Sequence, residues 1–148
     1  WEQTFPAGRE LAVEHRYHPA TGMSAGTSIE SPWAQRDDPD YRAYLERFCV
    51  DDQFLAGVRK RMKDENADSP PFWESRVAYI LTTGGNWAKP IGHFRLVVDK
   101  SAAENLVSFC ATGVRKISPT RFEVVRENWR PDRNLDILIL HPTPQEYR

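Results

Sequence analysis

No apolar run in this chain approaches the roughly 18–20 residues that a membrane span requires. The longest, Val77–Leu81 and Ile137–Leu140, are strand-sized. An excess of one charge is missing too, with 20 basic residues against 21 acidic ones in 148. A nucleic-acid surface draws on clustered basic residues, so that balance excludes nucleic acid as the expected partner. Cysteine is scarce: Cys49 and Cys110 stand alone, with no nearby CxxC or HxxxH. Zinc ligation, two buried thiols and a disulfide are all compatible with such a pair, zinc least so.

The usual signatures of chemistry are missing as well. There is no GxxxxGK[ST] or GxGxxG to cradle a phosphate and no GxSxG elbow to present a serine. Asp37, Asp38, Asp40, Asp51 and Asp52 lack the order of a calcium loop. They suit helix N-termini, where carboxylates meet unpaired N–H groups. His15 and His18 fall on opposite faces of a regular strand, and His93 and His141 are remote in sequence. All four read as structural, so neither a metal nor a cofactor is expected. Cys110 with His93 and Asp99 is the one nucleophilic set to weigh, but a strand-embedded thiol between Phe109 and Ala111 has its thiolate suppressed. Enzymatic activity is not the expected reading. A hydrolase with a site built across loops remains the rival from that class.

What is present is aromatic and alternating. Hydrophobic residues make up 40%, including five Trp, five Tyr and seven Phe, a composition that folds. The stretch Arg76–Asp99 organises the rest. Val77–Thr82 is rich in β-branched and aromatic residues, and Thr83-Gly84-Gly85-Asn86 has turn chemistry. His93–Asp99 then alternates, with Phe94, Leu96 and Val98 on one face. These limbs predict a central antiparallel pair. The loop between them carries Asn86, Trp87 and Lys89, which invite a glycan-stacking hypothesis. The plainer expectation is that Trp87 folds back over the sheet edge as a lid.

Trp1–Phe5 and Glu10–His18 both alternate across Pro6-Ala7-Gly8 and predict a hairpin. Met23–Gln35 reads as loop. Asp37-Asp38-Pro39-Asp40 opens a helix whose apolar set is Tyr41, Tyr44, Leu45, Phe48 and Cys49, and Asp51 caps a second with Phe54, Leu55, Val58 and Met62. Strands follow at Asn105–Cys110, Val114–Ile117, Arg121–Glu127 and Leu135–Leu140, the last apolar on both faces. The prediction is therefore a mainly β fold, an antiparallel β-sandwich of about eight strands over residues 1–148, with a helical insertion at about 38–66. Trp1, Trp33, Trp73, Trp87 and Trp129 lie near loops, and packing of the loop ends is their expected role.

Tyr79–Trp87 (YILTTGGNW) followed by Pro90–Lys100 (PIGHFRLVVDK) resembles an uncharacterised family of exported bacterial proteins. So do Trp1–Gly22 (WEQTFPAGRELAVEHRYHPATG), Leu106–Glu123 (LVSFCATGVRKISPTRFE) and Arg130–Leu140 (RPDRNLDILIL), while Ser24–Asp40 matches least. The resemblance implies a periplasmic or extracellular location and no catalytic residue, and in that compartment a Cys49–Cys110 disulfide becomes the favoured pairing. It also implies that the chain is the C-terminal portion of a longer precursor, in keeping with a start at Trp1 without an initiating Met. The expected function is a non-enzymatic, envelope-associated module for protein–protein contacts. Its partner would be another protein or the missing N-terminal region, with a carbohydrate-binding module using the Trp87 loop as the alternative.

Overall fold

A computed structural model describes residues 4, 6–31, 34, 37–65 and 70–144. Within them the chain is mainly β, with seven strands in two antiparallel sheets and two helices. The first sheet has the order β1 (Gly22–Ser24), β2 (Phe72–Tyr79), β7 (Leu135–Pro142), β4 (Leu106–Phe109). The second has the order β3 (Ile91–Asp99), β6 (Arg121–Trp129), β5 (Arg115–Lys116). Helices α1 (Pro39–Arg47) and α2 (Asp52–Glu65) cover the outer face of the first sheet.

Local chemistry sets the helices. The Asp38 carboxylate accepts hydrogen bonds from the N–H groups of Asp40 and Tyr41, and Asp51 accepts one from Phe54 at 2.7 Å. Each satisfies a donor that the first helical turn leaves unpaired. Helix α1 ends with Cys49 N–H on Glu46 O and Val50 N–H on Leu45 O. This is a Schellman closure in which Cys49, at φ 50°, occupies the left-handed position usually held by glycine. Cys49 is joined to Cys110 just past β4, with Cα atoms 5.0 Å apart, so the helical layer is tied covalently to the sheet it covers.

Two hydrophobic layers result. Between helices and sheet lie Ile29, Phe48, Leu55, Val58, Phe72, Leu138 and Leu140. Between the two sheets lie Val98, Phe109, Val124, Leu135 and Ile137, packed with flanking residues of both sheets. Strand β7 contributes alternate residues to each layer, as its double apolar pattern predicts.

Three expectations are corrected. The limbs of Arg76–Asp99 do not pair with each other: β2 pairs with β1 and β7, whereas β3 pairs with β6 in the other sheet. The chain crosses between sheets after β2, β3, β4 and β6, so strands adjacent in sequence usually become layer neighbours. Second, Glu10–His18 forms no strand; Leu11, Val13 and Tyr17 are exposed. Alternation alone makes no ladder without a partner backbone. The other limb of that expected hairpin, Trp1–Phe5, lies outside the described residues except for Thr4. Third, Met23 and Ser24, expected within a loop, belong to β1.

Candidate functional site

The loop between β2 and β3 is braced from one side. Asn134 Oδ1 accepts from the N–H groups of Leu81 and Thr82 and from the Thr82 hydroxyl, fixing the start of a 3-10 turn over Thr82–Asn86. The Arg130 guanidinium donates to the carbonyls of Gly85, Trp87 and Ala88 at 3.1, 2.9 and 3.3 Å. Gly84 and Gly85 are required here by proximity. A Cβ on Gly84 would stand 3.2 Å from Pro131 Cγ, and one on Gly85 would stand 3.1 Å from Pro131 O. Positive φ, which the sequence suggests for these glycines, occurs instead at Gly8 and Gly113.

Of the predicted site residues, Trp87 stands out from the surface at 61% exposure. The expected lid over the core is therefore not formed: Arg130 holds the Trp87 backbone in a conformation that turns the ring outward. Asn86 and Lys89 are exposed on the same loop. Elsewhere Trp73 stacks on His141 with ring centroids 3.9 Å apart, and Trp129 packs on Phe94 at 4.5 Å. Those two serve packing as expected. Trp1 and Trp33 lie outside the described residues.

Four residues beyond Trp87 begins β3, the long edge of the second sheet. Its outward row is charged and bonded to β6. His93 Nδ1 lies 2.6 Å from Glu127, Arg95 donates to Glu123 at 2.8 Å, and Arg121 donates to Asp99 at 2.8 Å. Glu123, only 6% exposed, is also bonded by Arg115. The guanidinium groups of Arg115 and then Arg95 hold the Glu123 carboxyl below the usual carboxylate range. Arg121, helped by the Ser101 N–H and by Thr120, does the same for Asp99. The inward row, Phe94, Leu96 and Val98, faces the first sheet.

The sheets part on both sides. A cleft of about 1020 Å3 opens on the β4 and β5 side, with Phe109, Phe122, Val124 and Leu135 in its walls and the disulfide and Arg133 among its lining. A smaller one of about 380 Å3 opens beside β3, lined by Pro19, Val77, Tyr79, Val98, Ile137 and Ile139. Close-packed interiors leave few voids larger than a water molecule. These spaces are therefore either surfaces for an occupant or unfilled core.

Sequence reasoning missed one pairing of catalytic residue types. The Ser75 hydroxyl lies 2.8 Å from His141 Nε2, a hydrogen bond whose donor is set by the imidazole tautomer. Burial lowers the His141 pKa and keeps it neutral. Neither residue lines either cleft, and among the described residues no carboxylate is bonded to His141. As arranged, the pair is a cross-strand hydrogen bond. Finding it, or the Arg115–Glu123–Arg95 cluster, needed the strand register, because the partners lie on different strands and none shares a motif. Among the described residues no group of three or more His, Cys, Asp or Glu stands close enough to hold a metal ion. No helix among them is long and apolar enough to cross a membrane.

Two antiparallel sheets and a disulfide-tied helical cover define a β-rich domain. The chain belongs to the family described as a domain of unknown function, DUF4424, which matches residues 1–138. Neither a curated protein nor a solved structure matches it.

Proposed function

We propose that this domain is a non-catalytic interaction module of an exported, periplasmic or extracellular protein, and that another polypeptide adds a strand along β3. One observation carries the reading: β3 is nine residues long and pairs on one side only among the described residues. Long open edges are templates for further pairing, and proteins usually blunt them by shortness, proline, bulges or inward charges. The other edge strands here are short, at three residues in β1, four in β4 and two in β5. Strand β3 has no proline and no inward charge, and its register from His93↔Glu127 to Asp99↔Arg121 is unbroken. A photo-crosslinking residue in place of Val97, in the producing cell, should yield a polypeptide adduct. The same residue at exposed Ile80 should not. Absence of any polypeptide adduct at position 97 contradicts the reading.

A second reading is favoured by Trp87. An exposed indole on a loop pinned by three hydrogen bonds is a ready platform for a sugar ring. On that reading, cell-wall or polysaccharide fragments quench tryptophan fluorescence, and Trp87→Ala abolishes the response while leaving the circular dichroism unchanged. An unchanged response in Trp87→Ala removes it.

A further inference from the structure

We infer that the strand added along β3 is β3 of a second copy of this chain, running antiparallel across a two-fold axis through Val97. The inference rests on the strand-addition reading and deepens it by naming the partner. Isologous pairing requires a strand complementary to its own reverse. With the axis at Val97, Arg95 faces Asp99 of the second copy twice, once on each side of the axis. On the inner face Leu96 meets Val98, also twice. With the axis at Arg95 the two guanidinium groups would oppose each other, and like charges directly opposite are destabilising. An axis at Leu96 would leave Arg95 opposite Val97.

The surrounding charges favour the same register. Arg95 already bonds Glu123, and Asp99 already bonds Arg121. Joining Arg95 to Asp99 of the second copy links these into a row of alternating sign, Glu123–Arg95–Asp99–Arg121, spanning four strands. The residue on the axis also fits. Val97 is an exposed β-branched side chain on an otherwise charged face, and exposed Val125 lies on the neighbouring strand. Pairing covers Val97 with its own copy and satisfies the outward N–H and C=O groups of both edges.

Sedimentation velocity on the purified protein, from micromolar to millimolar concentration, tests this with two variants. Wild type should show a concentration-dependent dimer. Val97→Lys and Val97→Glu place like charges at the axis and should each weaken self-association by roughly tenfold or more. Both substitutions lie on the solvent face, so circular dichroism should match wild type. An equimolar mixture of the two variants should regain a dimer, because lysine then faces glutamate. A wild type that stays monomeric, variants that dimerise like wild type, or a mixture that stays monomeric each overturns the inference. A monomeric wild type together with a crosslink from position 97 to a different polypeptide removes the second copy and leaves the strand-addition reading standing.

Discussion

The two faces of β7 end in unlike surroundings. Toward the helices, Leu138 and Leu140 are 0% exposed in a layer also filled by Phe48, Phe72 and Val58. Toward the second sheet, Leu135 and Ile137 are buried, but Ile139 is only partly so and lines a cleft. One strand of near-uniform Leu and Ile thus serves a closed core on one side and an open one on the other. The difference comes from the partner. Helices pinned by a disulfide and by the Arg47–Asp136 ion pair at 2.6 Å press onto the first sheet. The inter-sheet layer has no comparable staple among the described residues, and it parts on both flanks. Stability is therefore expected to be concentrated in the helical layer.

The largest test of that contrast is removal of the staple. Closing a loop between residues 61 apart stabilises by about 4 kcal/mol in the chain-entropy account. Cys49→Ser with Cys110→Ser should lower the urea-unfolding free energy by about that amount. It should also raise hydrogen exchange in α1 and α2 ahead of β3 and β6. Exchange rising first in β3 and β6 would reverse the assignment of layers. Next comes truncation on the two faces of β7. Leu138→Ala should cost about 2–5 kcal/mol, the range for a filled core. Ile139→Ala, where solvent already reaches, should cost about half as much or less. Equal losses would mean that the inter-sheet layer is as closed as the other.

Enlargement should show the opposite asymmetry. Val58→Phe drives a ring into a layer with no room and should cost about 1–3 kcal/mol. Val107 packs against the inter-sheet core but also lines the larger cleft, which gives an added ring room, so Val107→Phe should cost about 1 kcal/mol or less. Thermal unfolding of the two variants side by side reads the difference directly.

Much of this was legible in the sequence where the cause is local. Asp38 and Asp51 announce the helices because capping acts over three residues, and the apolar spacing of Phe54, Leu55, Val58 and Met62 follows from the helical period. The alternating faces of β3, β4 and β7 were readable for the same reason, since side-chain period in a strand needs no partner. Pairing was not readable. Whether Val77 sits beside Val97 or beside Ile137 depends on which sheet each strand joins, and both choices satisfy the same alternation. The candidate loop divides the same way. Asn86, Trp87 and Lys89 were visible as a polar and aromatic cluster. The outward turn of Trp87 was not, because it depends on Arg130, 43 residues further along. Nor did the sequence separate a glycine needed for positive φ from one needed for close approach to Pro131.

The smallest effect expected is a pH dependence that separates the two sheets. His141 on β7, stacked under Trp73, has its pKa lowered by burial from the ordinary 6.5. The unfolded chain therefore binds a proton first on acidification. The stability associated with neutral His141 is full above about pH 6.5 and falls as pH drops from there to the lowered folded value. One proton limits the slope to about 1.4 kcal/mol per pH unit. Glu123 and Asp99 on the second sheet behave in a lower window. Their folded pKa values are depressed, so their contribution is full above the ordinary carboxylate value near pH 4 and is lost only as pH falls through the depressed values. Urea midpoints measured against pH should thus fall in two stages. His141→Gln should remove the stage near neutrality and leave the acidic one. Glu123→Gln should reduce only the acidic stage. If the slope near neutrality survives His141→Gln, the first stage belongs to some other group, and the first sheet is not where mild acid begins to act.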